Sequence, residues 1–536
     1  MNKILIIIAV YLLPATPFAQ TDNAQKGEVQ KDDAQKYAAT ITHDDLKKHL
    51  TIIAGADMEG RETGTPGQRK AAEYIENQFR LLGLQAPQQL NGYQQTFPIF
   101  KDTLLSTSLK IGKKKYAFGN DFILNPFAAQ NGEIKSKQII FVGYGIADSN
   151  YNDYTGKNVT GKIVVFFTGE PKVNGKYLVT GNAKSSEWGF AGTAKKAALA
   201  KQNGALAALV INPAMENILP GFVESARKTN VYFPREEDEK VNFATILPAI
   251  AKEIFGEKLF TDMLTKARAD EPLNNFTAEV KSKTKFVYKK QQIPNYGSNV
   301  IGFIEGSDKK DEYVFLTAHY DHLGKQGDKI YYGADDDGSG TVGVIKMAEV
   351  FAKAKAEGKG PRRSIVFMTV SGEEKGLWGS EYYSDHPIFP LEKTTVDLNT
   401  DMVGRVDTER KTGDSLNYVY VIGHNKLSSD LQVINEKIND EYSDLKLDYK
   451  FDDPDDKERI YYRSDHYNFA RKGVPVLFFY DGMLKADYHK PTDTVDKINW
   501  ELYAKRVQHI FFTAWEIANR ENMLKRDIPL PETDVR

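Results

Sequence analysis

Three apolar, β-branched runs and one further strand-like run in this chain each lead into an imidazole or a carboxylate, and that repeated pattern constrains the fold more tightly than any other feature. YVFLTAHYDH (Tyr313 to His322) ends in His-x-Asp. SIVFMTVSGEEKGLWGSEYY carries a strand from Ser364 to Val370 that delivers Glu373 and Glu374 into a glycine-bounded loop. TTVDLNTDMVG delivers Asp401, and GVPVLFFYDG (Gly473 to Gly482) leads into a loop holding Asp487, Tyr488 and His489. Unbroken apolar runs are what strands look like when both faces of a parallel sheet are covered. After the first run comes GADDDGSG, then TVGVIKMAEVFAKAKAEG, with Val342, Ile345, Ala348 and Phe351 or Ala352 at helical spacing, so Asp336 falls just before a helix start. The alternation predicts an α/β fold: a mixed, mostly parallel central sheet flanked by helices, interrupted by a β-rich inserted domain. In such sheets the loops at the C-terminal strand ends converge on one crevice.

The residues expected in that crevice form a coherent ligand set. Zinc takes imidazole nitrogen and carboxylate oxygen, and a catalytic site keeps one position open for water. Two zinc ions would draw on His319, Asp336, Glu374, Asp401 and His489. The four positive charges are then balanced by three carboxylates and a bridging hydroxide, a balance that a low-dielectric cleft favours. Asp336, mid-way along the acidic run and held by Gly333 and Gly338, is the natural bridge; His319 with Asp401 would complete one ion, Glu374 with His489 the other. Asp321, two residues beyond His319, is the expected carboxylate that fixes an imidazole tautomer. Glu373 stands beside a ligand without being needed as one, which suits a general base; a further ligand oxygen or a surface acid is the plainer alternative.

Together, His-x-Asp, Gly-x-x-Asp-x-x-Ser-Gly, Glu-Glu-x-Gly, Asp-Met-Val-Gly and Tyr-His-x-x-x-Asp resemble the motifs of the co-catalytic di-zinc aminopeptidases, metallopeptidase family twenty-eight. The resemblance spans roughly Asp45 to Leu84, including an amphipathic helix with Ala71, Ile75, Phe79 and Leu82, and then Ser298 to about Asn522. It implies an exopeptidase, expected to be an aminopeptidase, in which metals lower the pKa of a bridging water and polarise the scissile carbonyl while Glu373 shuttles the proton. By the same resemblance Tyr461 falls where some relatives place a tyrosine that hydrogen-bonds the oxyanion, with Tyr462 or a packing role as alternatives. Asp465 and His466 look like helix-start and supporting groups, and Asp337, where many members carry Asn, is expected to serve the loop backbone. A dipeptidase, carboxypeptidase or glutaminyl cyclase on the same scaffold, or a noncatalytic receptor-like binding protein, are the other readings. FDDPDDKER (Phe451 to Arg459) is either a recognition segment for a free amino terminus or a solvated loop.

Between these segments KQIIFVGYGIADSNYNDYTG, GKIVVFFTGEP and TAKKAALAKQNGALAALVINP resemble a protease-associated domain, a noncatalytic insertion readable as a lid or as a spacer. The expected organisation is a signal peptide at 1–19, a flexible lead-in at 20–38, the N-terminal part of the peptidase domain at 39–125, the inserted domain at 126–284, the catalytic domain at 285–523 and a tail at 524–536. Lys3, the apolar stretch Ile4 to Leu13 and Ala19 before Gln20 make the leader, too short to span a membrane. With no cysteine, disulfides, thiol catalysis and a lipidated N-terminal cysteine are excluded. A secreted or periplasmic protein without a stable membrane anchor, acting on peptides, is expected; the net charge of -2 gives no sign of a nucleic-acid partner.

Overall fold

A computed structural model describes residues 31–124, 130–234, 242–411 and 413–530, and divides the chain into two compact units, 1–97 with 297–536 and 98–296. The signal-peptide segment lies outside the described residues. Among the described residues no helix is long and apolar enough to cross a membrane.

The first unit is built on a mixed, mostly parallel sheet. Its strands are the end of β1 (Glu279–Ile304), β2 (Lys309–His319), β3 (Arg363–Val370), β4 (Thr394–Thr400), β5 (Tyr418–Ile422), β6 (Lys446–Asp448) and β7 (Val476–Tyr480), in the spatial order β6-β5-β7-β4-β2-β3-β1. β7, β4, β2 and β3 run parallel, whereas β1 pairs antiparallel with β3 and β5 antiparallel with β7. Every residue of β3, β4, β5 and β7 is buried, which is why β5, β7 and most of β3 read as apolar runs, while β4 buries Thr394, Thr395, Asp397, Asn399 and Thr400 within the sheet. The register sets His319 opposite Val370 and Thr400 opposite Phe479, so the carboxyl ends of the four parallel strands lie level. β2 has β3 on one side and β4 on the other, so the loops leaving β2 and β4 part at that point and open a crevice, the usual place for a ligand.

Helices cover the sheet. α1 (His43–Ile53) starts on the Thr42 side chain, which accepts the Asp45 amide, and buries Leu46, Leu50 and Ile53. α2 (Pro66–Leu81) has proline in its first turn, where the missing N–H costs nothing, and buries Ala71, Ala72, Ile75 and Phe79. α3 (Gly340–Ala356) follows the acidic loop, and α4 (Trp500–Asn519) is capped by Asn499 accepting the Leu502 amide. Close backbone approach explains one glycine here: a Cβ on Gly340 would stand 2.2 Å from the Thr400 carbonyl oxygen.

The lead-in expectation needs correction. Residues 31–38 are helical, and Ala34, Tyr37 and Ala38 are buried in the core of the first unit. Tyr37 lies tilted against Trp515 with ring centroids 5.6 Å apart and donates to Glu357 at 3.0 Å. The polar average of the segment concealed an i, i+3, i+4 apolar stripe, which is enough to dock one face of a helix. At the other end Leu524 is buried and Asp527 accepts from the Ser429 amide, so the beginning of the expected tail is packed down.

The second unit has its own core. Strand Gly132–Phe141 pairs with residues 279–288 of β1 on one side and with Ile163–Phe167 on the other; Ala207–Ile211, Phe243–Ile246 and Phe122–Leu124 follow in order. Helix Thr193–Gln202 stops at Gly204, whose φ of +91° turns the chain into the buried strand Ala207–Ile211. This is the helix, glycine stop and strand read from the sequence. The unit takes in 98–125 and 285–296 beyond the expected insertion, because the outgoing strand Gln94–Ile111 and the returning β1 carry pairs with it.

Candidate metal centre

The level strand ends bring the sequence-expected ligands together. His319 is the last residue of β2, Asp401 follows β4 directly, and Gly372 at φ 85° turns the chain after β3 to present Glu373 and Glu374. The loop after β7 supplies His489, itself at φ 56°. Asp336 comes from the loop that precedes α3, and its peptide bond to Asp337 is cis.

Asp336 stands between two groups of donors. Its Oδ1 lies 3.4 Å from His319 Nε2, which is 3.5 Å from Asp401 Oδ1. Its Oδ2 lies 3.2 Å from His489 Nε2, which is 3.0 Å from Glu374 Oε2. Two donors each about 2.0–2.1 Å from one tetrahedral zinc ion stand about 3.3 Å apart, so both groups have the spacing that such an ion requires. His319 Nε2 and Asp336 Oδ2 are buried without an aligned hydrogen bond, as expected of atoms directed at a cation. The residue types and the spacing therefore fit zinc.

Neighbouring acids have different work. Asp335 Oδ1 accepts from the Gly404 amide at 2.8 Å and the Ser339 hydroxyl at 3.1 Å. Asp337 also lies within reach of His319 and Asp401. However, its Oδ1 already accepts the Gly340 and Met402 amides at 2.8 and 3.0 Å and its Oδ2 the His319 amide at 3.3 Å, so its carboxylate serves the loop backbone and Asp336 is the better ligand. Asp493 accepts the amides of Asp335 and Asp336 at 3.0 and 3.1 Å and so holds the acidic loop. Asp321 behaves differently from expectation. The nearer acceptor for His319 Nδ1 is the Asp321 main-chain carbonyl at 3.1 Å, its carboxylate being 3.8 Å away. That carboxylate instead takes the Thr63 hydroxyl at 2.7 Å and the Glu373 amide at 3.2 Å, so Asp321 positions the backbone of Glu373. Asp465 accepts from Ser380 at 2.5 Å, and neither it nor His466 joins the donor groups.

The electrostatics follow from packing so many carboxylates out of water. Burial alone would lower the His319 pKa, yet Asp401, Glu373 and Asp336 raise it well above the usual imidazole value. His489 is likewise depressed by burial but held up to about 10 by Asp336 and Glu374. Burial drives Glu373 well above the carboxylate range, reinforced by Glu374, Asp401 and Asp465 and opposed by His319. The surrounding carboxylates thus pull both rings towards the cationic form, as expected of a pocket that favours positive charge.

Asp336, Glu373 and Asp401 form one side of an open cleft. Ile460, Phe478 and Leu484 give the cleft an apolar lining, and Arg463, Tyr480 and Tyr488 also line it. Tyr461 is not among the residues lining it. It lines a separate pocket with Lys426 and the acidic loop at Asp452 to Asp456, its hydroxyl is buried without a partner, and Lys426 Nζ lies 4.9 Å from its ring centre. The expected oxyanion contact of Tyr461 is thus not where the structure puts this side chain: the short helical turn Ile460–Tyr462 directs Ile460 to the cleft and Tyr461 away from it. Three residues escaped the sequence reading: Tyr488, His322 and Arg61. Tyr488 stacks on His489 with ring centroids 3.8 Å apart, and its adjacency to a ligand was the available signal. His322, the residue after Asp321, places Nδ1 2.7 Å from Glu374 Oε1. Arg61 supports both regions, donating to the main-chain oxygens of Ile53, Tyr320, Tyr332 and Gly333 from a fully buried guanidinium.

Residues 299–514 match the model of Peptidase family M28. A probable zinc metalloprotease of Pyrenophora tritici-repentis is 33% identical over 155 residues, 27% of this chain and 30% of that protein. A probable leucine aminopeptidase of Arthroderma otae is 28% identical over 215 residues, 39% of this chain and 55% of that protein. The chain thus matches about a third of the first relative and about half of the second. Among solved structures, the aminopeptidase from Aneurinibacillus sp. strain AM-1 shares the fold, with a TM-score of 0.51 at 19% identity over 94% of this chain and 100% of that one.

Proposed function

We propose that the chain is a member of peptidase family M28, whose model matches residues 299–514, and that it is a zinc-dependent exopeptidase, an aminopeptidase that removes N-terminal residues from peptides with the help of two zinc ions. The observation that carries this reading is Asp336, with one oxygen 3.4 Å from His319 and the other 3.2 Å from His489 at the base of a cleft shared with Glu373. His319, Asp336 and Asp401 would hold one ion, and Asp336, Glu374 and His489 the other. Zinc bound there supplies an activated water and polarises the scissile carbonyl.

The remaining steps belong to the chain's own side chains. Glu373 Oε2, 3.9 Å from His319 Nε2, takes a proton from the water and returns it to the leaving amine nitrogen. Asp321, through the Glu373 amide, fixes where that carboxylate starts. Arg463 Nη2 donates to the Tyr488 hydroxyl at 3.3 Å, which leaves the phenolic proton free to donate towards an oxyanion in the cleft. Burial together with the charges of Asp336, Glu373 and Glu374 pushes the Tyr488 pKa upward, so the phenol keeps that proton. Ile460, Phe478 and Leu484 offer an apolar surface for the side chain of the residue being removed. The second unit, with its parallel strands and helix Thr193–Gln202, is proposed to be the protease-associated module and to carry no chemistry.

Tyr488→Phe is expected to lower kcat/KM by roughly 10²–10³, the usual cost of one oxyanion donor, while Tyr461→Phe stays near the parent value. Steady-state kinetics on the two purified variants decide between the tyrosines, and the reverse ranking would restore the role to Tyr461. The reading as a whole is tested with the full chain loaded with zinc. Aminoacyl-nitroanilides with a free amine should be hydrolysed, a chelator should abolish the activity and added zinc restore it. Equal cleavage of N-acetylated substrates, release of C-terminal residues, or cyclisation of N-terminal glutamine in place of hydrolysis would overturn it.

A further inference from the structure

His322 is a buried imidazole for which the proposed reaction has no use. It follows His-x-Asp at the end of β2, its side chain is 0% exposed, and its ring is packed against Gly333, where a Cβ would come within 2.6 Å of His322 Cγ and Cδ2. Nδ1 lies 2.7 Å from Glu374 Oε1 and 3.7 Å from Asp336 Oδ2, while Nε2 is buried without a partner. A proton on Nε2 would be wasted and would leave two acceptors face to face, so the proton sits on Nδ1 and is donated to Glu374. The 2.7 Å contact is also too short for two ligands of one ion, which stand about 3.3 Å apart. His322 and Glu374 are therefore a hydrogen-bonded pair, unlike His489 and Glu374, whose Oε2 contact of 3.0 Å is close to ligand spacing.

The two oxygens of Glu374 are thus divided, Oε1 held by His322 and Oε2 turned to the donor group of His489 and Asp336. We propose that His322 is a positioning residue that keeps Glu374 to one-oxygen ligation of the second ion and thereby sets that ion's affinity and leaves a coordination position free. Without the hydrogen bond, Oε1 would swing to the same ion and fill the position that a catalytic site keeps open. The proposal rests on the two-ion reading above. Partners behind a metal ligand typically change affinity by about 10–100-fold when removed.

The test titrates the metal-free full chain with zinc against a chromophoric chelator, with metal content measured in parallel, for the parent protein, His322→Leu and His322→Asn. The amide nitrogen of Asn stands near the place of Nδ1 and can replace its donation. The parent should take two ions; His322→Leu should bind the second about 10–100-fold more weakly with the first unchanged, and His322→Asn should recover most of the loss. Cobalt-substituted His322→Leu should show weaker visible absorption at the second site, as expected when a carboxylate becomes bidentate and coordination number rises. The first ion's affinity serves as the folding control. Parent-like affinity for both ions in His322→Leu, equal weakening of both, or failure of Asn to improve on Leu would each overturn the proposal while leaving the two-ion reading intact. A parent protein that takes fewer than two ions would sink both.

Discussion

Glu373→Gln is expected to keep its zinc and lose most of its activity. Glutamine has nearly the shape of glutamate but cannot take up a proton, so the substitution removes one function and little else. Glu373 is outside both donor groups, its Oε2 standing 3.9 Å from His319 Nε2. Its backbone is fixed independently of its carboxylate, by the Asp321 Oδ1 that accepts the Glu373 amide. General-base catalysis contributes about 10²–10⁴, so kcat should fall by that factor with KM little altered, because the lost interaction is made in the transition state. Metal analysis and steady-state kinetics on the same preparation separate the possibilities. Full activity would remove Glu373 from the mechanism, and loss of zinc in proportion to activity would make it a ligand.

The division between what the sequence discloses and what it hides follows from the range of the interactions. β3 was legible because a strand buried on both faces is dominated by apolar residues, and Ile365 to Met368 with Val370 supply that run. The positions of His319, Glu373, Glu374 and Asp401 were legible for the related reason that each sits at or just beyond the end of a strand, whereas His489 lies nine residues beyond β7 and was read from its motif. Direction within an irregular segment is another matter. Whether Tyr461 or Tyr488 enters the cleft depends on how the turn Ile460–Tyr462 and the loop after β7 pass each other, and a shift of one residue reverses the outcome. The work of Asp321 was misjudged for the same reason: its distance to His319 Nδ1, 3.8 Å from the carboxylate against 3.1 Å from the carbonyl, is a matter of local geometry that spacing cannot express. Arg61 left no signal at all, since its acceptors at Tyr320, Tyr332 and Gly333 are main-chain oxygens, which every residue has. The bounds of the second unit were missed because strand pairing, unlike hydrophobic patterning, is a relation between distant segments: residues 279–288 of β1 belong to it through their pairs with Gly132–Phe141.

Asp336→Asn is expected to be more damaging than the change at Glu373, and through a different route. Each oxygen of Asp336 belongs to a different donor group, so replacing one with an amide nitrogen removes a ligand from one group and the negative charge from both. In the metal-free protein His322, His319 and His489 outweigh the effect of burial and hold this carboxylate well below the usual range. Zinc affinity should drop by more than the roughly 10–100-fold typical of groups behind the ligands, with activity lost alongside. Thermal melting supplies a readout independent of turnover. A ligand at a hundred times its Kd stabilises the folded state by about 2.7 kcal/mol, so added zinc should raise the Tm of the parent and of Glu373→Gln but leave Asp336→Asn nearly unmoved. Asp337→Asn tests the choice between adjacent acids. Its oxygens accept the Gly340, Met402 and His319 amides, so its substitution should lower the Tm with or without zinc while preserving the zinc-dependent rise. A zinc response lost in Asp337→Asn and kept in Asp336→Asn would move the bridge from one residue to the other, and with it the division of the remaining ligands between the two ions.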